Sequence, residues 1–148
     1  LVRSTFDQFP DIGAAAVLGN IAVESAGTFD YQIHQKKGPA YGLFQMEPPM
    51  FRNYTNWMKL EGRTDSAESQ ILYAHDQVMH GSRIGIGNAI KIRAAFNSGS
   101  VQQATEVFCL LFEKPNPMRH PQVDKRIDSA NTFLDRFHHC SNSLEPLP

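Results

Sequence analysis

No apolar run in these 148 residues approaches the roughly 20 that a membrane-spanning helix needs. Neither sign of charge is in excess: 14 Lys and Arg against 15 Asp and Glu leave a formal net charge of −1. The clustered cations that grip a phosphate backbone are therefore missing, and no nucleic-acid partner is expected. The two cysteines, Cys109 and Cys140, are too few for a disulfide framework. Cys109 sits in the apolar run Phe108 to Leu111 and reads as a buried free thiol. The redox compartment stays open. No HExxH, no glycine-rich phosphate loop and no Gly-x-Ser-x-Gly is present. His138-His139-Cys140 has no partner ligands at suitable spacing and reads as a solvated helix end, so neither metal nor cofactor is expected.

Hydrophobic residues make up 41% of the chain, enough for one buried core. The chain begins at Leu1 with no signal peptide before it, so a processed product or an excised domain is expected. Residues 1–148 read as a single domain, with 141–148, polar and proline-bearing, as a frayed tail.

The pattern is mainly helical. A short helix carries Phe6 and Phe9. Asp11 is placed to cap a second helix, through Ala14 to Val23, whose small and apolar residues leave few polar positions. Gly27 stops it. Thr28 to Gln45 alternates in part, with a turn signal at Gly38-Pro39, and predicts a small irregular β-hairpin. Pro48-Pro49 opens a helix that ends at Gly62. Asp65-Ser66-Ala67-Glu68 opens another, closed by Gly81. Helical stretches follow up to Gly99, over Val101 to Glu113 and over Asp124 to Phe137, with a rigid loop at Lys114 to Pro117. The fold class is mainly α with one small β excursion.

Glu24 stands where the buried helix ends. It is either a solvated helix-end glutamate or a half-buried acid whose desolvation raises its pKa. The second is what protonating a glycosidic oxygen requires. In an extended segment Gln45 and Glu47 point to the same side. Glu47 is then a second carboxylate, or simply an acid favoured at the N-terminus of the next helix. Asn97-Ser98-Gly99 reads by itself as a helix cap.

Three segments together resemble a known signature. Glu24-Ser25, then Tyr41-Gly42-Leu43-Phe44-Gln45-Met46-Glu47-Pro48, then Ala95-Phe96-Asn97-Ser98-Gly99 are similar in order and spacing to lytic transglycosylases of the lysozyme-like superfamily, which show ES, GLMQ and AYNAG. Over nearly the whole chain, Ala14 to Ser25, Tyr41 to Gln45, Ser66 to Val78 with Gln70, and Phe112-Glu113-Lys114-Pro115 resemble phage tail lysozyme domains. Met46 departs from that family, which usually has a tryptophan-type residue there.

The resemblance implies a lysozyme-like fold and cleavage of peptidoglycan glycan strands, by hydrolysis or by transglycosylation, or else an inactive glycan-binding virion domain. It implies Glu24 as the general acid, Tyr41, Phe44 and Gln45 beside the scissile bond, and Asn97 on the sugar. Glu47 matches the acid of goose-type lysozymes, where it would activate water. The implied setting is a virion, or the extracellular or periplasmic face of a wall, with other tail proteins as possible neighbours. Glu113 and Arg126 are expected to pair and tie the last helices together.

Overall fold

The computed structural model describes residues 1–114 and 122–143, with side chains up to His139. The helices run in chain order as α1 (Val2–Thr5), α2 (Asp11–Glu24), α3 (Pro48–Glu61), α4 (Ala67–His80), α5 (Ile86–Phe96), α6 (Val101–Phe108) and α7 (Val123–Ser143). A single π-helical turn, Cys109–Glu113, continues α6.

Local chemistry fixes the ends. Pro48 and Pro49 open α3, and Gly62 ends it in the left-handed conformation at φ 64°. The Ser66 hydroxyl caps α4 by accepting from the Ser69 N–H, and Ser100 does the same for α6 through Gln103. Asp11 is not a cap: Pro10 holds that place, and Asp11 pairs with Arg3 at 2.9 Å. Helix α7 runs to Ser143, so residues 141–143, expected to fray, are helical. Residues 115–121 and 144–148, which take in most of the expected rigid loop and the rest of the tail, lie outside the described residues, as does the Cys140 side chain.

Helix α2 is the central rod. Gly13 to Val17 and Gly19 to Ile21 are buried, and α7 and α6 pack along it. Small residues permit this close approach: a Cβ on Gly19 would sit 2.5 Å from the Arg126 carbonyl and 2.8 Å from the Ala130 Cβ. Beside α2 lies a chain of aromatic rings. Phe96 stacks on Phe108 at 6.1 Å, Phe108 on Phe112 at 4.7 Å, and Phe44 meets Phe112 edge-on at 5.2 Å.

The expected hairpin over Thr28 to Gln45 does not form. Among the described residues that segment holds only two isolated bridges, His34 with Tyr41 and Tyr41 with Met46. The chain does turn at Gly38-Pro39, where the Gln35 N–H donates to the Ala40 carbonyl at 2.9 Å. Left-handed residues break the extension on either side: Phe29 at φ 53°, Gly42 at φ 85° and Gln45 at φ 48°. A buried side chain takes over from the missing ladder. The Gln70 Oε1 accepts from the Leu43 N–H at 2.9 Å, and its Nε2 donates to the Tyr31 carbonyl at 2.9 Å. Gly42 must be glycine here, since a Cβ would lie 2.6 Å from Gln70 Oε1.

Candidate active site

Glu24 is the last residue of α2 and keeps 18% of its side-chain surface. It shares a helix face with Asn20 and Ala16, four and eight residues back. That face grips one cation from α7. Arg126 donates from Nη2 to Glu24 Oε1 at 2.6 Å and from Nη1 to Asn20 Oδ1 at 2.9 Å. Asn20 is itself held, its Nδ2 donating to the Ala16 and Thr105 carbonyls. The guanidinium is nearly buried, at 5% exposure. Helix α7 comes this close because Gly19 carries no side chain.

Burial dominates the electrostatics of Glu24. Desolvation pushes its pKa up, Arg126 pulls it back by charge and hydrogen bond, and the charge of Glu47 pushes it up again. The net direction is upward, so the carboxyl holds its proton at higher pH than an ordinary glutamate does. Ser25, buried directly after it, shapes the exit from the helix: its hydroxyl accepts from the Phe29 N–H at 3.1 Å.

Glu47 is exposed at the N-cap position of α3, and its side chain caps no N–H. Its charge acts on Glu24, which places the two carboxyls in one electrostatic neighbourhood. The expected alternation that would point Gln45 and Glu47 together is broken, because Gln45 is left-handed at φ 48°. The Gln45 amide turns back onto its own loop, donating to the Gly42 carbonyl at 3.0 Å and the Ile33 carbonyl at 3.2 Å.

Tyr41 is half-buried, and its hydroxyl donates to Asp65 Oδ2 at 2.5 Å. Tyr54 donates to the other oxygen of Asp65 at 2.6 Å. Burial and the Asp65 carboxylate push both phenols far above their ordinary pKa, so both remain hydrogen-bond donors. Tyr41 and Asp65 line a cleft of about 480 Å³ together with His34, Pro48, Phe51 and Arg52. Neither Glu24 nor Glu47 lines it, but Pro48, next to Glu47 in the chain, does.

Two expected site residues are placed differently from one another. Phe44 is wholly buried among Phe108 and Phe112 and offers no surface to a sugar. The motif keeps it pointing inward, away from the cleft. Asn97 is exposed at the end of α5, its amide donating to the Arg93 carbonyl at 3.1 Å. None of its hydrogen bonds reaches Glu24.

Arg126 forms an ion pair with Glu24, and its charge also acts on Glu113, whose buried Oε1 has no hydrogen-bond partner. Arg126 was legible as a helix cation but not as the counterion of Glu24, since 102 residues separate them. Among the described residues no group of three or more His, Cys, Asp or Glu is placed to hold a metal ion. No described helix is long and apolar enough to cross a membrane. Cys109 is a buried free thiol, its pKa pushed up to about 11 by burial.

Compared with known families, residues 4–137 match the one described as phage tail lysozyme. No curated protein and no solved structure matches the chain.

Proposed function

Since the chain belongs to the phage tail lysozyme family, we propose that it is a muramidase cleaving the β-1,4 bond between N-acetylmuramic acid and N-acetylglucosamine in peptidoglycan. Residues 1–148 act as a catalytic domain, working from the virion on the host wall. Glu24 is the general acid, protonating the glycosidic oxygen as the bond to the sugar breaks. The observation that carries this reading is the environment of Glu24. A carboxyl at the mouth of a buried helix, its pKa raised by desolvation, stays protonated where an exposed glutamate would have ionised.

The glycan strand runs from Glu24 past Glu47 and into the cleft beside Tyr41, where His34, Phe51, Arg52 and Asp65 supply polar and aromatic surface. Asn97, exposed at the end of α5, contacts the sugar. Gln45 supports the loop backbone rather than reaching for substrate, given that both its donated bonds stay within residues 33–45. Glu47, exposed and within electrostatic reach of Glu24, activates the water that completes hydrolysis.

A lytic transglycosylase would cut the same bond without that water, and the engaged Gln45 amide favours it to this extent: only Glu47 is left to direct one. Mass spectrometry of the soluble fragments released from purified peptidoglycan separates the two. Reducing N-acetylmuramic acid ends support hydrolysis, and anhydromuramyl ends would replace it with transglycosylation. Intact glycan strands would leave an inactive glycan-binding domain instead.

A further inference from the structure

Asp65 lies directly before the Ser66 cap of α4 and lines the cleft beside Tyr41. Three donors from three parts of the chain converge on its carboxylate. Tyr41, from the segment between α2 and α3, donates to Oδ2 at 2.5 Å. Tyr54 of α3 and Gln70 of α4 both donate to Oδ1, at 2.6 and 3.1 Å. Gln70 also holds the Tyr31 carbonyl and the Leu43 N–H. The loop that carries Tyr41 is thus tied to Asp65 twice, once through the phenol and once through the Gln70 amide.

The two phenols differ in what they leave free. Tyr54 is wholly buried and its hydroxyl meets no ligand. Tyr41 is half-buried and lines the cleft with the carboxylate it donates to, which places the pair at the cleft wall. Its ring is fixed by neighbours, with the His34 ring 4.8 Å away and the Phe51 ring edge-on at 5.7 Å. A phenol has one proton to donate, while a carboxylate can only accept. Asp65 takes that proton. Among the described residues no other hydrogen bond reaches the Tyr41 hydroxyl. What remains is accepting capacity, on an oxygen that cannot turn its proton to a ligand without giving up Asp65.

We propose that Asp65 is a positioning residue that sets the specificity of the cleft: by holding the Tyr41 proton, it makes the Tyr41 hydroxyl a fixed acceptor. This part of the cleft then takes a hydrogen-bond donor of the glycan, a sugar hydroxyl or an acetamido N–H. A carboxylate or another group that only accepts is rejected there, since it would leave two acceptors facing each other without a proton between them.

The inference rests on the cleft being a glycan site, and it is tested by a double-mutant cycle on uncross-linked peptidoglycan strands. In Asp65→Asn the amide oxygen stays where Tyr54 and Gln70 both donate. The amide nitrogen then faces Tyr41, donates to its oxygen and turns the phenol proton into the cleft. KM should rise about threefold to tenfold, the range for one neutral hydrogen bond, with a smaller change in kcat. Tyr41→Phe should raise KM similarly, and adding Asp65→Asn to it should raise KM no further. Effects that simply add in the double variant overturn the proposal, since Asp65 would then act through the fold and not through the hydroxyl. If Asp65→Asn folds poorly, Tyr41→Phe decides alone, and an unchanged KM overturns the proposal. Carbon-13 NMR of labelled tyrosine Cζ reads the same hydroxyl without turnover. Asp65→Asn should move the Tyr41 signal upfield, and an unmoved signal overturns the proposal even in a protein that cleaves peptidoglycan. A parent that binds and cleaves no glycan, with the Tyr41 signal moving as expected, defeats the functional reading while the fixed polarity of the hydroxyl stands.

Discussion

Arg126 on α7 donates to Glu24 on α2 at 2.6 Å, across 102 residues of chain. The contact exists because Gly19, one turn and a half earlier on α2, leaves room for the α7 backbone. A counterion this close lowers the pKa of an acid, yet burial of Glu24 outweighs it. The balance between those two effects sets the pH range over which the acid keeps its proton.

Gly19→Ala should therefore disturb both stability and site. Its Cβ would meet backbone atoms of Arg126 and Ala130 at 2.5 and 2.9 Å, and backbone cannot rotate away. We expect a loss of about 1–3 kcal/mol in denaturant unfolding, as for other overpacked cores. Turnover should fall as well at temperatures where the variant is folded. Parent-like stability would mean that the α2–α7 approach is looser than the structure has it.

Phe44 separates a core role from a cleft role. Phe44→Ala should cost about 3–5 kcal/mol, the range for an emptied aromatic site. Phe44→Leu should lose less stability and keep the parent KM, because no part of the ring faces substrate. A raised KM in a well-folded Phe44→Leu protein would return this residue to the cleft.

The buried acids also predict how stability varies with pH. Above its ordinary pKa of 4.5, Glu113 ionises in the unfolded chain while the folded protein keeps it protonated. The folded state then binds more protons, and stability falls as pH rises from there towards the raised folded pKa. Glu24 acts in the same direction. His75, whose pKa burial lowers, acts in the opposite one. Comparison of Tm against pH for the parent and Glu113→Gln isolates the Glu113 part. The parent curve should decline more steeply, and parallel curves would count against a protonated Glu113.

Much of this was legible in the residues. The small-residue run through Ala14 to Val23 identifies α2, and the Pro48-Pro49, Ser66, Gly62 and Gly81 signals mark helix ends where they lie. Glu24 was visible as an acid at the end of a buried helix. The hairpin was not, because partial alternation over residues 28–45 resembles strand pairing. The segment is in fact held by Gln70 from α4 and bent by left-handed residues. Phe44 was misplaced because a motif gives no direction in which a side chain points. The partnership of Arg126 with Glu24 depends on how closely two helices approach at Gly19, and local pattern carries no such information.

Glu24→Gln provides the most direct test. The amide keeps the size of the side chain and an oxygen for Arg126 to bind, but it has no acidic proton to donate. With Tm and circular dichroism matching the parent, release of soluble fragments from purified peptidoglycan should fall to background. Turnover at the parent rate in that folded variant would contradict the assignment of Glu24 as the general acid.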